Sequence, residues 1–276
     1  HMLIAQFNIH ATEGNYNTSI GLPLTLLRLT KENTMSLLEM GANQPGDIAQ
    51  LCEIAQPTHG VVTNIAPAHL EGFGTIEAVA KTKGELFACL AKGVSFINVA
   101  DYRVGALEIL GDSISFGLTP ECDYPADIHH EKDGTITLTV DAEEIPTHSV
   151  NLTFAKNVIT CVAISRTLGL SWGEIRENVA SFQPPKGRCE VKNNGMITII
   201  DDTYNANLES TVAAIDYLKA FSGNGQRIFV FGDMFELGDL SQDQHRRVGE
   251  KCNEAELSAV FTIGEETVTT DAIITY

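Results

Sequence analysis

Two segments end apolar runs, and a third lies one helix later, with groups able to handle a metal ion or a proton. Glu39 lies in MSLLEMG at 35–41, His69 follows the run GVVTNIA at 60–66 within NIAPAHLE at 64–71, and Lys83 sits in AKTKGELF at 80–87. Short unbroken apolar runs read as buried parallel strands, and open α/β folds gather ligands at the carboxyl edge of such strands. A carboxylate and an imidazole can share a divalent cation there, whereas a lysine opposes the same cation by charge repulsion. A plainer account fits the same spacing: Glu39 caps a helix, His69 satisfies a loop and Lys83 is solvated. Spacing alone does not choose between the two.

Further candidates sit in polar turns. DDTYNAN at 201–207 closes one apolar run and leads into a helical pattern, GDMFELG at 232–238 closes the next, and GNYNT stands at 14–18. Each can equally be a tight turn or a helix cap. Arg188 follows the hinge PPKG at 184–187, where a guanidinium can take a phosphate or ribose, or simply make a surface ion pair. The usual nucleotide cradles, a G-x-x-x-x-G-K-[ST] loop or a strand-linked G-x-G-x-x-G, occur nowhere in the 276 residues.

The elements that must position these residues follow an α/β rhythm. Apolar runs at 35–41, 60–66 and 94–100 alternate with helical patterns, of which 75–90 carries Lys83. Between 126 and 150 the pattern changes to alternation around Asp133-Gly134, which predicts an antiparallel ribbon appended to the sheet. Helices are expected near 154–168 and 171–182, the second opened by a capping box of Ser171 and Glu174. Beyond PPKG a new series starts: strand 196–200, helix 208–221, strand 227–231, helix 241–255 and strand 259–263. The fold class predicted is α/β: a mostly parallel central sheet flanked by helices, a small antiparallel ribbon, and then the beginning of a second doubly wound sheet.

Composition narrows the partners. The chain is 43% apolar and 20% charged, with a formal net charge of -18 at pH 7. Such a field repels phosphodiester backbones and anionic lipid, so neither nucleic acid nor a membrane surface is an expected partner. The six cysteines show no CxxC pair, there is no signal-peptide architecture, and no run approaches a membrane span. A reducing compartment, the cytoplasm, is expected.

Taken in order, GNYNTSIGLPLTLLRL at 14–29, LEMGANQPGDIA at 38–49, TNIAPAHLEGFGTIEAVAKTKGELF at 63–87, PPKGRCE at 184–190, DDTYNAN at 201–207 and GDMFELG at 232–238 resemble the Mur ligases. The resemblance is strongest to the branch that joins D-alanyl-D-alanine to a UDP-N-acetylmuramoyl-tripeptide. It implies a central ATPase-type domain at 3–188 and an incomplete Rossmann-like ligase domain at 189–276. It also implies ATP and Mg2+, and a reaction through an acyl phosphate. By the same resemblance Glu39, His69 and Lys83 match the magnesium site, Lys83 being the lysine that carbon dioxide converts to a carbamate. That conversion would turn a competing cation into an anionic oxygen ligand.

Arg188, Asp202 and Asn157 match positions near the nucleotide. The pattern around Asn157 departs from the family's H-N-x-x-N, with Lys156 and Thr160 in place of the histidine and the second asparagine. Asn15, Asn17 and Thr18 match the loop near the UDP-sugar peptide, and Asn205 and Asn207 the place where the dipeptide is handled. The family's phosphate loop would fall just before Leu3, and its later carboxyl-terminal segments after Tyr276, so this piece by itself is expected to be inactive. The alternatives are a sister ligase of the Mur or folylpolyglutamate type, or a binding module that kept the fold without catalysis.

Overall fold

The computed structural model describes residues 1–66, 70–221, 223 and 225–274. They form β1 (Ile9–Ala11), α1 (Gly21–Leu26), β2 (Met35–Leu37), α2 (Asp47–Ala55), β3 (His59–Val62), α3 (Leu70–Phe73), α4 (Ile76–Cys89), β4 (Val94–Asn98), α5 (Tyr102–Gly105) and β5 (Asp112–Gly117). There follow β6 (Tyr124–His130), β7 (Ile136–Val140), β8 (Glu143–Pro146), α6 (Leu152–Thr167), α7 (Trp172–Ala180), β9 (Glu190–Asn193), β10 (Thr198–Asp201), α8 (Leu208–Ala220), β11 (Ile228–Gly232), α9 (Ser241–Ala255), β12 (Ala259–Ile263) and α10 (Val268–Asp271). Two compact units result: His1–His129 with Thr137–Thr147 and Ala155–Ala180, and His130–Ile136 with His148–Phe154 and Ser181–Tyr276.

In the first unit a six-stranded sheet runs in the order β3-β4-β5-β6-β7-β8, with β3 to β6 parallel and β7–β8 antiparallel. The alternating segment joins the sheet through β6, which pairs in parallel with β5, and ends in the antiparallel β7–β8 pair, so the ribbon is appended to the sheet as the pattern predicts. Asp133-Gly134 turns the chain between β6 and β7, while the tight β7–β8 hairpin is made by Asp141 and Ala142, both at positive φ (49° and 64°). Primed two-residue turns need that conformation because their twist matches the strands. β1 and β2 form a separate parallel pair.

Helix α4 starts where Thr75 accepts the amide of Ala78, and it buries Val79 and Phe87 against Val62, Ile65, Ile97 and Val104. Ser171 and Glu174 exchange the reciprocal bonds of a capping box at the start of α7.

The second unit differs from the expected series at its start. β10 is not a parallel strand but the antiparallel partner of β9, across a turn in which Asn194 Oδ1 accepts the amides of Met196 and Ile197 and Gly195 sits at φ +87°. Asn-Gly is a hairpin signal, and it governs this segment. β11 and β12 are parallel, as the pattern predicts. Their unbroken apolar runs predict burial on both faces, yet α8 and α9 cover only the side of Phe231 and Val260, and Val230, Phe261 and Ile263 are exposed. All six cysteines are free, and among the described residues no helix is long and apolar enough to cross a membrane.

Candidate functional site

Glu39 lies two residues beyond β2, and its surroundings come from the turn at 14–18. Asn17 Nδ2 donates to Glu39 Oε1 at 2.9 Å, Gly41 N donates to the Asn17 carbonyl at 2.8 Å, and the Glu39 amide donates to Thr12 Oγ1 at 2.9 Å. A Cβ on Gly41 would stand 3.0 Å from the Asn17 amide, so the two loops are closely fitted. Glu39 therefore caps no helix: α2 is served by Asp47, which accepts the amides of Asn43 and Gln44, and by Glu85, which accepts those of Gly46 and Ala49. Thr18 lines a cleft of about 340 Å³ with Ser19, Gly41, Asn43, Gln44 and Asp47. Asn15 contributes its carbonyl to the amide of Asn17.

Lys83 projects from α4 to the loop that leaves β3. Its Nζ donates to the Asn64 carbonyl at 2.9 Å. Burial lowers its pKa from the usual lysine value, and the Asp101 carboxylate partly opposes that shift. Two side chains that sequence reasoning missed hold the same loop. Asn98 Nδ2 donates to the Thr63 carbonyl at 2.7 Å, and Asp101 Oδ2 accepts the Ile65 amide at 2.8 Å. The signal that could have found them is their position, since Asn98 ends β4 and Asp101 lies three residues beyond it.

Loop 39–46, helix α3 and helix α4 are neighbours. The Asn43 carbonyl lies against Gly72, where a Cβ would come within 2.2 Å, and Glu85 ties α4 to the start of α2. His69 lies outside the described residues. Among the described residues no three His, Cys, Asp or Glu side chains gather as a metal site. Of the predicted set, the described residues offer the Glu39 carboxylate, an oxygen donor that suits a hard cation, and the Lys83 amine.

In the second unit the predicted residues are mostly fastened to the backbone. Arg188 lays its guanidinium over Tyr204, 3.9 Å from the ring centre, and the Gly187 carbonyl accepts the Tyr204 amide at 3.0 Å. Asp202 Oδ1 accepts the amide of Cys189, which stands at φ +53°. The Cys189 thiol is pushed up to about 11 by burial and by Asp202. Asn205 Oδ1 accepts the amide of Ala206. Asn207 is the N-cap of α8 in a reciprocal pair with Ser210. Asp233, in the GDMFELG segment, accepts three consecutive amides, those of Glu265, Glu266 and Thr267. In the first unit, Asn157 is exposed on α6, beside exposed Lys156, and Thr160 is buried.

The chain matches the Mur ligase middle domain over residues 1–164 and the Mur ligase glutamate ligase domain over residues 187–275. It is 36% identical over 266 residues to a UDP-N-acetylmuramoyl-tripeptide--D-alanyl-D-alanine ligase of Haemophilus influenzae, covering 92% of this chain and 57% of that protein. With the Escherichia coli ligase of the same name it is 34% identical, covering 92% and 58%. Among solved structures it is similar to MurF from Thermotoga maritima in complex with ADP, with a TM-score of 0.85 and 30% identity over 98% of this chain and 64% of that one. MurF from Acinetobacter baumannii superposes with a TM-score of 0.87 at 27% identity, over 99% and 61%. The chain thus spans less than two thirds of these relatives, and within that span both domain matches and the shared architecture agree: it belongs to the Mur ligase family.

Proposed function

We propose that the chain is part of a cytoplasmic ATP-dependent ligase that joins D-alanyl-D-alanine to a UDP-N-acetylmuramoyl-tripeptide. The observation that carries this reading is the 36% identity, across 92% of the chain, to a ligase of that name. In this proposal residues 3–188 form the ATPase-type domain and 189–276 the ligase domain. The γ-phosphoryl of ATP passes to the peptide carboxylate, and the amine of the dipeptide displaces phosphate from the acyl phosphate.

Glu39, His69 and carbamylated Lys83 would hold Mg2+, which when bound screens the crowded phosphate and carboxylate oxygens. Asn17 orients the Glu39 carboxylate through its donated bond. Burial of Lys83 favours the neutral amine that adds carbon dioxide. Arg188, stacked on Tyr204, offers a fixed guanidinium to phosphate, with Asp202 and Asn157 toward the nucleotide. Asn15, Asn17 and Thr18 face the UDP-sugar peptide, Thr18 through its cleft. Asn205 handles the dipeptide; Asn207, engaged as a cap, acts by placing α8.

The test expresses the complete reading frame and supplies ATP, Mg2+ and the UDP-sugar tripeptide with either D-alanyl-D-alanine, single amino acids or glutamate. Formation of ADP and phosphate together with a product heavier than the tripeptide substrate by the dipeptide less one water is expected. A product from single amino acids or glutamate alone, or none that depends on ATP, overturns the reading.

A further inference from the structure

We propose that Asn98 and Asp101 are positioning residues for the Lys83 head group, acting through the backbone of residues 63–65. The inference rests on the ligase reading for why that head group matters, and on the bonds around the loop for how it is held.

Strands β3 and β4 pair in parallel, Val62 opposite Ile97, so their exits lie side by side. Three successive residues leaving β3 are each gripped by a different side chain: the Thr63 carbonyl by Asn98, the Asn64 carbonyl by Lys83 and the Ile65 amide by Asp101. The middle grip is the one that orients Lys83, and the outer two fix the carbonyl it depends on.

The residue types follow from what each position must do. Asn98 donates to Thr63 while its Oδ1 accepts the amide of Ala100 at 3.1 Å, a donor and an acceptor on the two separate terminal atoms of one short amide side chain. Asp101 must accept on both oxygens. Oδ1 takes the amides of Arg103 and Val104 and so caps α5, and Oδ2 takes Ile65, thirty-six positions earlier in the chain. A residue serving only as a helix cap has no need of the second oxygen. An amine and the carbamate formed from it both retain an N–H, so the Asn64 carbonyl can orient either form.

The test uses this chain with isotope-labelled lysine, reading the order parameter of each lysine head group by NMR. Lys81, exposed on the same helix, is the internal reference. Lys83 is expected to be ordered and Lys81 mobile in the unaltered chain. Asn98→Ala and Asp101→Asn are each expected to drop the Lys83 value below about 0.6, the range of flexible groups, with Lys81 unchanged. A merely structural role would loosen α4 as a whole and move both lysines together.

An unchanged Lys83 value in either folded variant overturns the proposal, as does a Lys83 as mobile as Lys81 in the unaltered chain. Should Asp101→Asn lose the α5 cap and fail to fold, Asn98→Ala leaves that cap intact and decides alone. Labelled bicarbonate then tests the underlying reading separately. Carbamate on Lys83 that falls severalfold in the variants supports both. An ordered Lys83 that takes none speaks against its ligase role and leaves the positioning standing.

Discussion

Each unit contains a carboxylate that clamps a loop, and the clamps leave their neighbourhoods in different states. In the first unit Asp101 divides its oxygens between the α5 cap and the Ile65 amide, and the Lys83 head group donates to the Asn64 carbonyl. In the second, Asp233 commits both oxygens to three consecutive amides at 265–267, and the motif residues Asp202 and Asn207 each accept a backbone amide as well. In the first unit Asn98 and Asp101, from outside the motifs, pin residues 63 and 65 on either side of the carbonyl that holds Lys83, while Asn17, Asp47 and Glu85, from within them, hold the loop at 39–46. In the second unit the motif side chains are themselves the pins.

The largest effect that can break this contrast is expected from Gly264→Ala. Gly264 stands at φ +133°, and a Cβ there would lie 2.2 Å from the Asp233 carboxylate. The substitution joins backbone strain to loss of a three-amide clamp, and about 3 kcal/mol or more of destabilisation is expected. The single tryptophan, Trp172, belongs to the first unit, and His245 is buried in the second. Thermal melting should therefore fall at the His245 ring resonance while Trp172 fluorescence keeps its transition. Coincident loss of both signals would mean that the clamp is not local to its unit.

Asn207→Ala sharpens the same point at smaller scale. Removing the side chain that receives the Ser210 amide should lower stability by about 1 kcal/mol, the usual worth of an N-cap, as read from denaturant unfolding. Rescue by Asn207→Asp or Asn207→Ser would show that the position is a cap first. Retained stability, with loss of the proposed ligase activity when Asn207→Ala is placed in the complete reading frame, would instead return it to the chemistry.

Element types were largely legible because apolar periodicity and capping residues act locally: α4 follows its stripe from Thr75, and α7 its Ser171–Glu174 box. The β9–β10 pairing was missed because strand 198–201 has the same apolar run as a parallel strand, and only the Asn194-Gly195 turn sets its direction. Glu39 could be singled out by its place beyond an apolar run, and Lys83 by its match to the family's lysine. Asn98 and Asp101 could not, because an amide and a carboxylate after a strand look like ordinary turn residues until the neighbouring strand's exit is placed beside them. The uses of Asp233 and Asn207 were hidden for a related reason: a polar atom's partner lies elsewhere in the chain, and composition does not name it.

An acid titration separates the two kinds of carboxylate. Hydrogen bonds from Lys192 and Thr203 hold Asp201 at about 2 in the folded protein. Its folded value lies below the unfolded one, so its stabilising contribution is complete above the unfolded carboxylate range and is lost as pH falls toward 2. Lys192→Met should flatten that acid limb of the unfolding curve. An unchanged limb would show that the exposed pair contributes nothing to the β9–β10 hairpin.

Lys83→Met should have the smallest effect on stability. The substitution gives up the bond to Asn64 but also removes a positive charge that burial disfavours, so a change within about 1 kcal/mol is expected at neutral pH. The sign of the pH dependence is distinctive. Because the folded-state pKa lies below the unfolded one, between the two values the unfolded chain binds more protons at this site, and the parent protein gains stability as pH rises through that window. Lys83→Met lacks this gain, so the parent should become the more stable of the two in alkali. Parallel unfolding curves across that range would mean that Lys83 is as solvated as Lys81. A large loss at neutral pH would make it a pin like Asp233 and erase the difference between the units.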